Sequence, residues 1–239
     1  MIKLYRIILV PALLLNSVSC KHHTEAPPDF GSDYYPGKVG SYIVYDVDSV
    51  RYKQLPQVDT LYFKFQIKEK LDTIFMDNQG RATFRLVRYK KIYDPNIPYS
   101  QMSWTLIQDV WMANKNATDV EVVEENIRYI KLSFPVRLNA TWNGTAAADT
   151  NGAHNYKYEY VDQAATLGGT PFAKTLKVNQ LYLSTAISFQ NYEERYARGV
   201  GMIYKEITDY TLQDNQGGNI GKIFEGVHYV MTVNSYGVE

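Results

Sequence analysis

An all-β domain built of antiparallel strands is the fold this sequence predicts, and three observations carry the prediction. Apolar residues recur with a period of two over most of the chain, turn signals separate these runs at short intervals, and the aromatic residues are dominated by 21 Tyr against 3 Trp. Tyrosine suits strands that are half buried. About ten strands and one short helix follow, arranged as a strongly curved sheet or as a sandwich.

Taken in order, the strand pattern begins after Tyr34. Over Thr60–Lys70, Leu61, Phe63, Phe65 and Ile67 alternate with Tyr62, Lys64, Gln66 and Lys68, which predicts a strand with one wet face. Asp77-Asn78-Gln79-Gly80 predicts a hairpin turn into Ala82–Tyr93, where Ala82, Phe84 and Leu86 alternate with polar neighbours. Asp94 to Pro98 breaks the chain before a strand around Trp104–Met112. Strands are then expected at Thr118–Glu124, Ile127–Phe134, Tyr156–Ala164, Leu176–Ser184, Val200–Leu212 and Ile220–Val233, with a turn over 214–219. Asn191 to Arg198, stopped by Gly199, reads as the short helix. No fixed-period repeat supports a solenoid or propeller.

The chain begins differently. Lys3 and Arg6 precede the apolar run Ile7–Leu15, which is about half of what a membrane-spanning helix needs. Small residues Asn16-Ser17-Val18-Ser19 then lead into Cys20, the one cysteine of the chain. This is the layout of an export signal. Its end resembles the lipobox of bacterial lipoproteins, with Ser17 standing where leucine is usual. The resemblance implies cleavage after Ser19 and lipidation of Cys20, giving a membrane anchor through the N-terminal lipid. Residues 20–33, with Pro27-Pro28 and Gly31-Ser32, are expected to form a tether, and 34–239 a single domain. Lys21, not aspartate, follows Cys20, which predicts the outer membrane as destination; whether the domain faces the periplasm or the exterior is left open.

Two further stretches carry a resemblance. Tyr34-Tyr35-Pro36-Gly37-Lys38-Val39-Gly40 with the strand residues to Asp46, and Tyr196-Ala197-Arg198-Gly199-Val200-Gly201 with those to Glu206, are similar to segments of uncharacterised Gram-negative envelope lipoproteins. More distantly, they resemble the periplasmic lipoprotein-localisation factors. The resemblance implies an open half-barrel whose sheet wraps around a concave face.

Composition and motifs bound the chemistry. Lys+Arg and Asp+Glu balance at 25 each, two of the bases lie in the signal, and no footprint for nucleic acid results. A lipidated Cys20 leaves no thiol for disulfides, metal sites or nucleophilic catalysis. His22 and His23 fall in the tether, His154 in a loop and His228 on the last strand; none belongs to a His-Glu-x-x-His motif. No Gly-x-Ser-x-Gly elbow is present, and Gly199, Gly201, Gly217 and Gly218 precede no helix that would cradle a phosphate. Asp46 and Asp48 share a strand face, where they could serve a calcium ion or paired-carboxylate chemistry or simply face water. The sequence therefore predicts no enzyme and no cofactor or metal.

What remains is binding. Leu61, Phe63, Phe65, Phe84 and Leu86 are the expected ligand-facing residues, on a concave face that takes an apolar or amphipathic ligand such as a lipid. The alternative is a glycan-binding or adhesion module, which requires aromatic rings standing exposed on a flat or convex face. Trp104 and Trp111, seven apart, face opposite sides of any unbroken strand, so at least one belongs to the core, and Trp142 is expected to anchor a turn. Asp48-Ser49-Val50, Asp59-Thr60-Leu61 and Asp72-Thr73-Ile74 resemble sites of bacterial O-glycosylation, which implies glycans on Ser49, Thr60 and Thr73; the competing and simpler explanation is that Asp favours turns and Ser or Thr then opens a strand.

Overall fold

The computed structural model describes residues 28–53, 59–92, 94–148, 152–213 and 221–239. Twelve strands follow one another: β1 (Ser41–Lys53), β2 (Asp59–Met76), β3 (Ala82–Ile92), β4 (Thr105–Lys115), β5 (Asp119–Glu124), β6 (Ile127–Ser133), β7 (Thr141–Asn143), β8 (Asn155–Leu167), β9 (Thr170–Ser184), β10 (Ser188–Ala197), β11 (Gly201–Leu212) and β12 (Ile223–Val238). They form one sheet in the order β6-β5-β4-β3-β2-β1-β12-β11-β10-β9-β8-β7. Every neighbour is consecutive in the chain except β1 and β12, which pair antiparallel from Ser41 opposite Val238 to Tyr52 opposite Gly226. The molecule is thus two six-stranded meanders joined through their first and last strands. The expected half-barrel is close to this, although the described residues form twelve strands and the sheet curls nearly shut.

The seam lies between β6 and β7, where side chains do the work of a ladder. The Ile130 N–H donates to the Gly144 carbonyl at 2.8 Å, and the Trp142 indole N–H donates to the Ile130 carbonyl at 2.8 Å. Further along, the Tyr158 hydroxyl accepts from the Ser133 N–H at 2.9 Å and donates to the Ser133 carbonyl at 2.8 Å. Trp142 lies 4.5 Å from Tyr158 and 5.9 Å from Tyr156 between ring centroids, so the seam is also an aromatic stack. Gly144 is required here: a Cβ at that position would stand 2.4 Å from the Tyr156 ring.

The pleat sorts residues by face. Tyr45, Val47 and Ile67 point inward and form a buried cluster with Met231. Asp46 and Asp48 point outward, where Asp46 accepts from Gln66 and Asn234 and Asp48 pairs with Lys64 at 2.9 Å. A larger cluster, with Trp111, Leu132, Tyr158, Leu176 and Tyr34, fills the end of the barrel nearest the seam and the N-terminal segment. Asp77 to Arg81 forms the expected hairpin turn; the turn expected over 214–219 lies outside the described residues.

Two expectations are corrected. Residues 191–198, expected as a helix, lie in β10 and the turn after it. Tyr192, Glu194 and Tyr196 share one face of a strand paired on both sides, with β9 and β11. Two ladders of backbone hydrogen bonds and a buried face outweigh helix propensities of a few tenths of a kcal/mol per residue. Gly199 still acts as the stop, now of a strand. Second, the expected tether is not free throughout. Residues 20–27 lie outside the described residues, but Asp29 and Asp33 both pair with Arg198, at 2.9 and 2.7 Å, and Arg198 also binds Asp162 at 2.7 Å. Tyr34, fully buried, donates from its hydroxyl to Asp162 at 2.8 Å. Residues from Asp29 onward therefore belong to the folded body and cap one end of it.

The seam can be tested at Tyr158. Its ring is fully buried, and Tyr158→Phe would leave both Ser133 backbone groups without their partner. We expect a loss of about 1–3 kcal/mol in urea unfolding. A change below about 0.5 kcal/mol would mean that the seam does not rely on this hydroxyl.

Candidate ligand-binding cavity

Two adjoining chambers lie inside the barrel among the described residues. The lower chamber, about 260 Å³, has Tyr35 and Pro36 of the N-terminal segment in its floor and Leu71, Leu86, Trp111, Val122 and Met231 in its walls. The upper one, about 400 Å³, is bounded by Ser49, Arg51, Phe63, Phe65, Lys90 and Val227. Ile207 and Tyr229 line both and form the neck between them.

Seven charged side chains, Glu69, Arg88, Glu124, Glu125, Lys131, Glu194 and Lys205, line the lower chamber among its apolar ones. Lys131 binds Glu124 at 2.7 Å and Glu194 at 2.8 Å, and Lys205 reaches the same two carboxylates at 3.2 and 3.5 Å. Two acids and two bases thus alternate around a ring. The Tyr196 hydroxyl completes it by donating to the second Glu194 oxygen at 2.6 Å. Glu194 is fully buried and Lys131 is 4% exposed. Beside the ring, Arg88 binds Glu69 at 3.2 Å and lies 3.7 Å over the Trp111 ring.

Burial opposes the charge of Glu124, Glu194 and Lys131, so their partners decide the protonation states. For Glu124, the ammonium groups of Lys131 and Lys205 outweigh desolvation and bring its carboxyl down to about 2. Glu194 is lowered for the same reason, and the two carboxylates raise Lys131. Glu69 goes the other way: burial, only partly offset by Arg88, pushes its carboxyl up. Burial also raises the phenols of Tyr35, Tyr45 and Tyr229 around the chamber. The buried Trp111 indole N–H has no acceptor among the described residues.

The expected ligand-facing residues divide between these spaces. Phe63 and Phe65 line the upper chamber and Leu86 the lower. Phe84 packs, half buried, against the large cluster at the capped end. Leu61, opposite Arg51 near the start of β2, lines neither chamber. Ser49, one of the three expected glycosylation sites, is 6% exposed and lines the upper chamber. Thr60 is half buried, and Thr73 is exposed where the β2–β3 register shifts.

Arg51, Glu69, Arg88, Lys90, Glu124, Lys131, Glu194 and Lys205 are the cavity residues that apolar patterning misses. The available signal was a charge in the apolar register, as at Glu69 between Ile67 and Leu71, or Arg88 and Lys90 after Leu86.

Elsewhere, His228 and Glu206 meet at 3.0 Å, but on the outer face, as His228 alternates with the inward Val227 and Tyr229. His154 is exposed. Among the described residues, no group of three His, Cys, Asp or Glu side chains is placed to hold a metal. Of the tryptophans, Trp111 is core, Trp142 is in the seam and Trp104 is half buried with Lys91 5.2 Å from its ring. The outer face instead carries a row of other rings, Tyr52, Tyr210, Phe189 and Tyr182, with successive centroids 5.5, 6.3 and 6.1 Å apart. Its first contact bridges Gly226, which pairs with Tyr52 on one side and Tyr210 on the other. With no side chain between them, the two rings close over the glycine.

Lys131→Met tests the ionic ring. It leaves Glu124 and Glu194 facing a single ammonium group, and we expect a loss of about 3–5 kcal/mol at pH 7 by urea unfolding. The sign of its pH dependence is fixed by Glu124, whose folded value lies below its ordinary 4.5. Stability from that depression is complete above about pH 4.5 and disappears as pH falls toward 2. The gap between variant and wild type should therefore be widest near neutrality and shrink across that window; a gap independent of pH would contradict the ring.

No protein-family model matches this chain, and no curated protein matches it either.

Proposed function

We propose that this chain is a lipid-anchored cell-envelope protein of the outer membrane that binds an amphipathic ligand inside its barrel without transforming it. The observation that carries the reading is the pair of chambers meeting at Ile207 and Tyr229, capped at one end by the segment around Tyr35. An apolar cavity of about 150 Å³ takes up benzene, and the lower chamber is larger. Each methylene moved there from water contributes about 0.8 kcal/mol. Binding is favoured over catalysis because Glu124 and Glu194 are each shared between two ammonium groups, which holds both ionised and engaged. The His228–Glu206 pair lies on the opposite face from the chambers.

A second reading, glycan binding, is supported by the outer row of aromatic rings, whose last member, Tyr182, is 65% exposed. The two readings separate by mutation: Tyr182→Ala should abolish oligosaccharide binding if the outer row is the site, and leave binding of an acyl probe intact.

For the cavity reading, Ile207→Trp places a larger side chain in the neck. The protein should then melt within a few degrees of wild type and lose uptake of a fluorescent fatty-acyl probe. Uptake unchanged by Ile207→Trp, or absent from wild type, would refute it. The anchor is tested separately. Mass spectrometry should find a mature N-terminus at Cys20 carrying acyl mass, and Cys20→Ala should release the protein from the outer-membrane fraction; a wild-type chain that is not membrane-bound would refute this part.

A further inference from the structure

We infer that the ligand is an anionic amphiphile whose oxyanion head is held at the upper chamber by Arg51 and Lys90, with its apolar part directed past Ile207 and Tyr229. This rests on the cavity reading and adds to it an orientation and a head-group charge.

The inference comes from where charge is and is not compensated. In the lower chamber Glu124, Glu194, Lys131 and Lys205 neutralise one another, and Arg88 faces both Glu69 at 3.2 Å and Glu125 at 4.0 Å, so every cation there is matched by a carboxylate and an anionic head finds no unpaired counterpart. The upper chamber differs. Arg51 and Lys90 line it with no carboxylate, and neither forms an ion pair among the described residues. They come from β1 and β3, on either side of the strand that supplies Phe63 and Phe65. The Arg51 guanidinium stands 5.6 Å from the Phe63 ring and the Lys90 ammonium 4.0 Å from the Phe65 ring.

The two charged ends thus stand over aromatic rings with no carboxylate beside them, where an amphiphile can bring an anionic head to them and direct its chain inward. Asp209, opposite Val227 on β12, is a carboxylate on the same face. It is already engaged, accepting from the Gln190 amide at 3.1 Å and the Tyr192 hydroxyl at 2.6 Å. A planar guanidinium and a mobile ammonium on separate strands together suit a carboxylate or a phosphate head.

The test uses three probes with the same fourteen-carbon chain, ~14 carbons being long enough to enter both chambers: the fatty acid, the alcohol and the trimethylammonium salt. Each is titrated by calorimetry into the full chain held in zwitterionic nanodiscs, with empty nanodiscs as reference. The acid should bind about tenfold or more tighter than the alcohol, with the cation weakest, and the difference should narrow as salt is raised. Arg51→Glu combined with Lys90→Glu should reverse the order of acid and cation. Equal binding of all three probes, or an order unchanged in the double variant, overturns the head-group assignment while leaving the cavity reading standing. Binding of none of the three overturns both.

Discussion

The ladder between β1 and β12 is the constraint on which the rest of the structure depends. Every other pairing joins strands that are neighbours in the chain, so each can form as a hairpin. The β1–β12 pair spans nearly the whole folded chain, from Ser41 opposite Val238 onward. Without it there are two separate meanders, each with two open edges and one uncovered apolar face, and such edges invite pairing with other molecules. With it, the two meanders become one sheet whose remaining edges, β6 and β7, meet. Closure at that point falls to one backbone bond, from Ile130 to Gly144, and to the Tyr158 hydroxyl and the Trp142 indole, because β7 has only three residues and cannot provide a full ladder.

A sheet curled in this way encloses more space than its inward side chains fill at the mouth end. At the capped end Tyr34, Leu132, Tyr158 and Leu176 pack without exposure, and the N-terminal segment is drawn in by Arg198. Between this close-packed region and the mouth, the interior is occupied by charged side chains whose full burial would be unfavourable if they were unpaired. Their arrangement as a closed ring with two bases and two acids satisfies each charge twice. It also places polar groups at the side of an otherwise apolar chamber, where they define shape and orientation more than net attraction.

The two faces of the sheet consequently differ in kind. Outward side chains form exposed ion pairs such as Asp48–Lys64 and a row of rings that crosses Gly226 and ends at the exposed Tyr182. Inward side chains pass from dense packing, through a neutral ionic ring, to an aromatic mouth with two uncompensated cations. That gradient along one face is what gives the cavity a direction, and with it the amphipathic reading its physical basis.

The sequence by itself determined the all-β class, most strand positions and the inward set of Phe63, Phe65 and Leu86, because alternation with a period of two is a local property that the pleat converts directly into faces. It also carried the signs of its own exceptions, in Glu69 and Arg88 standing at apolar positions. Tertiary structure decided what local pattern could not. Residues 191–198 have helix-compatible composition, yet two neighbouring strands claim their backbone. Residues 28–33 look like linker, yet three aspartates converge on Arg198 from positions 29, 33 and 162. The ring of Glu124, Lys131, Glu194 and Lys205 draws on four strands, β5, β6, β10 and β11, that only closure brings together. Charges so far apart in sequence acquire a common site through the ring of strands, and no periodicity records that.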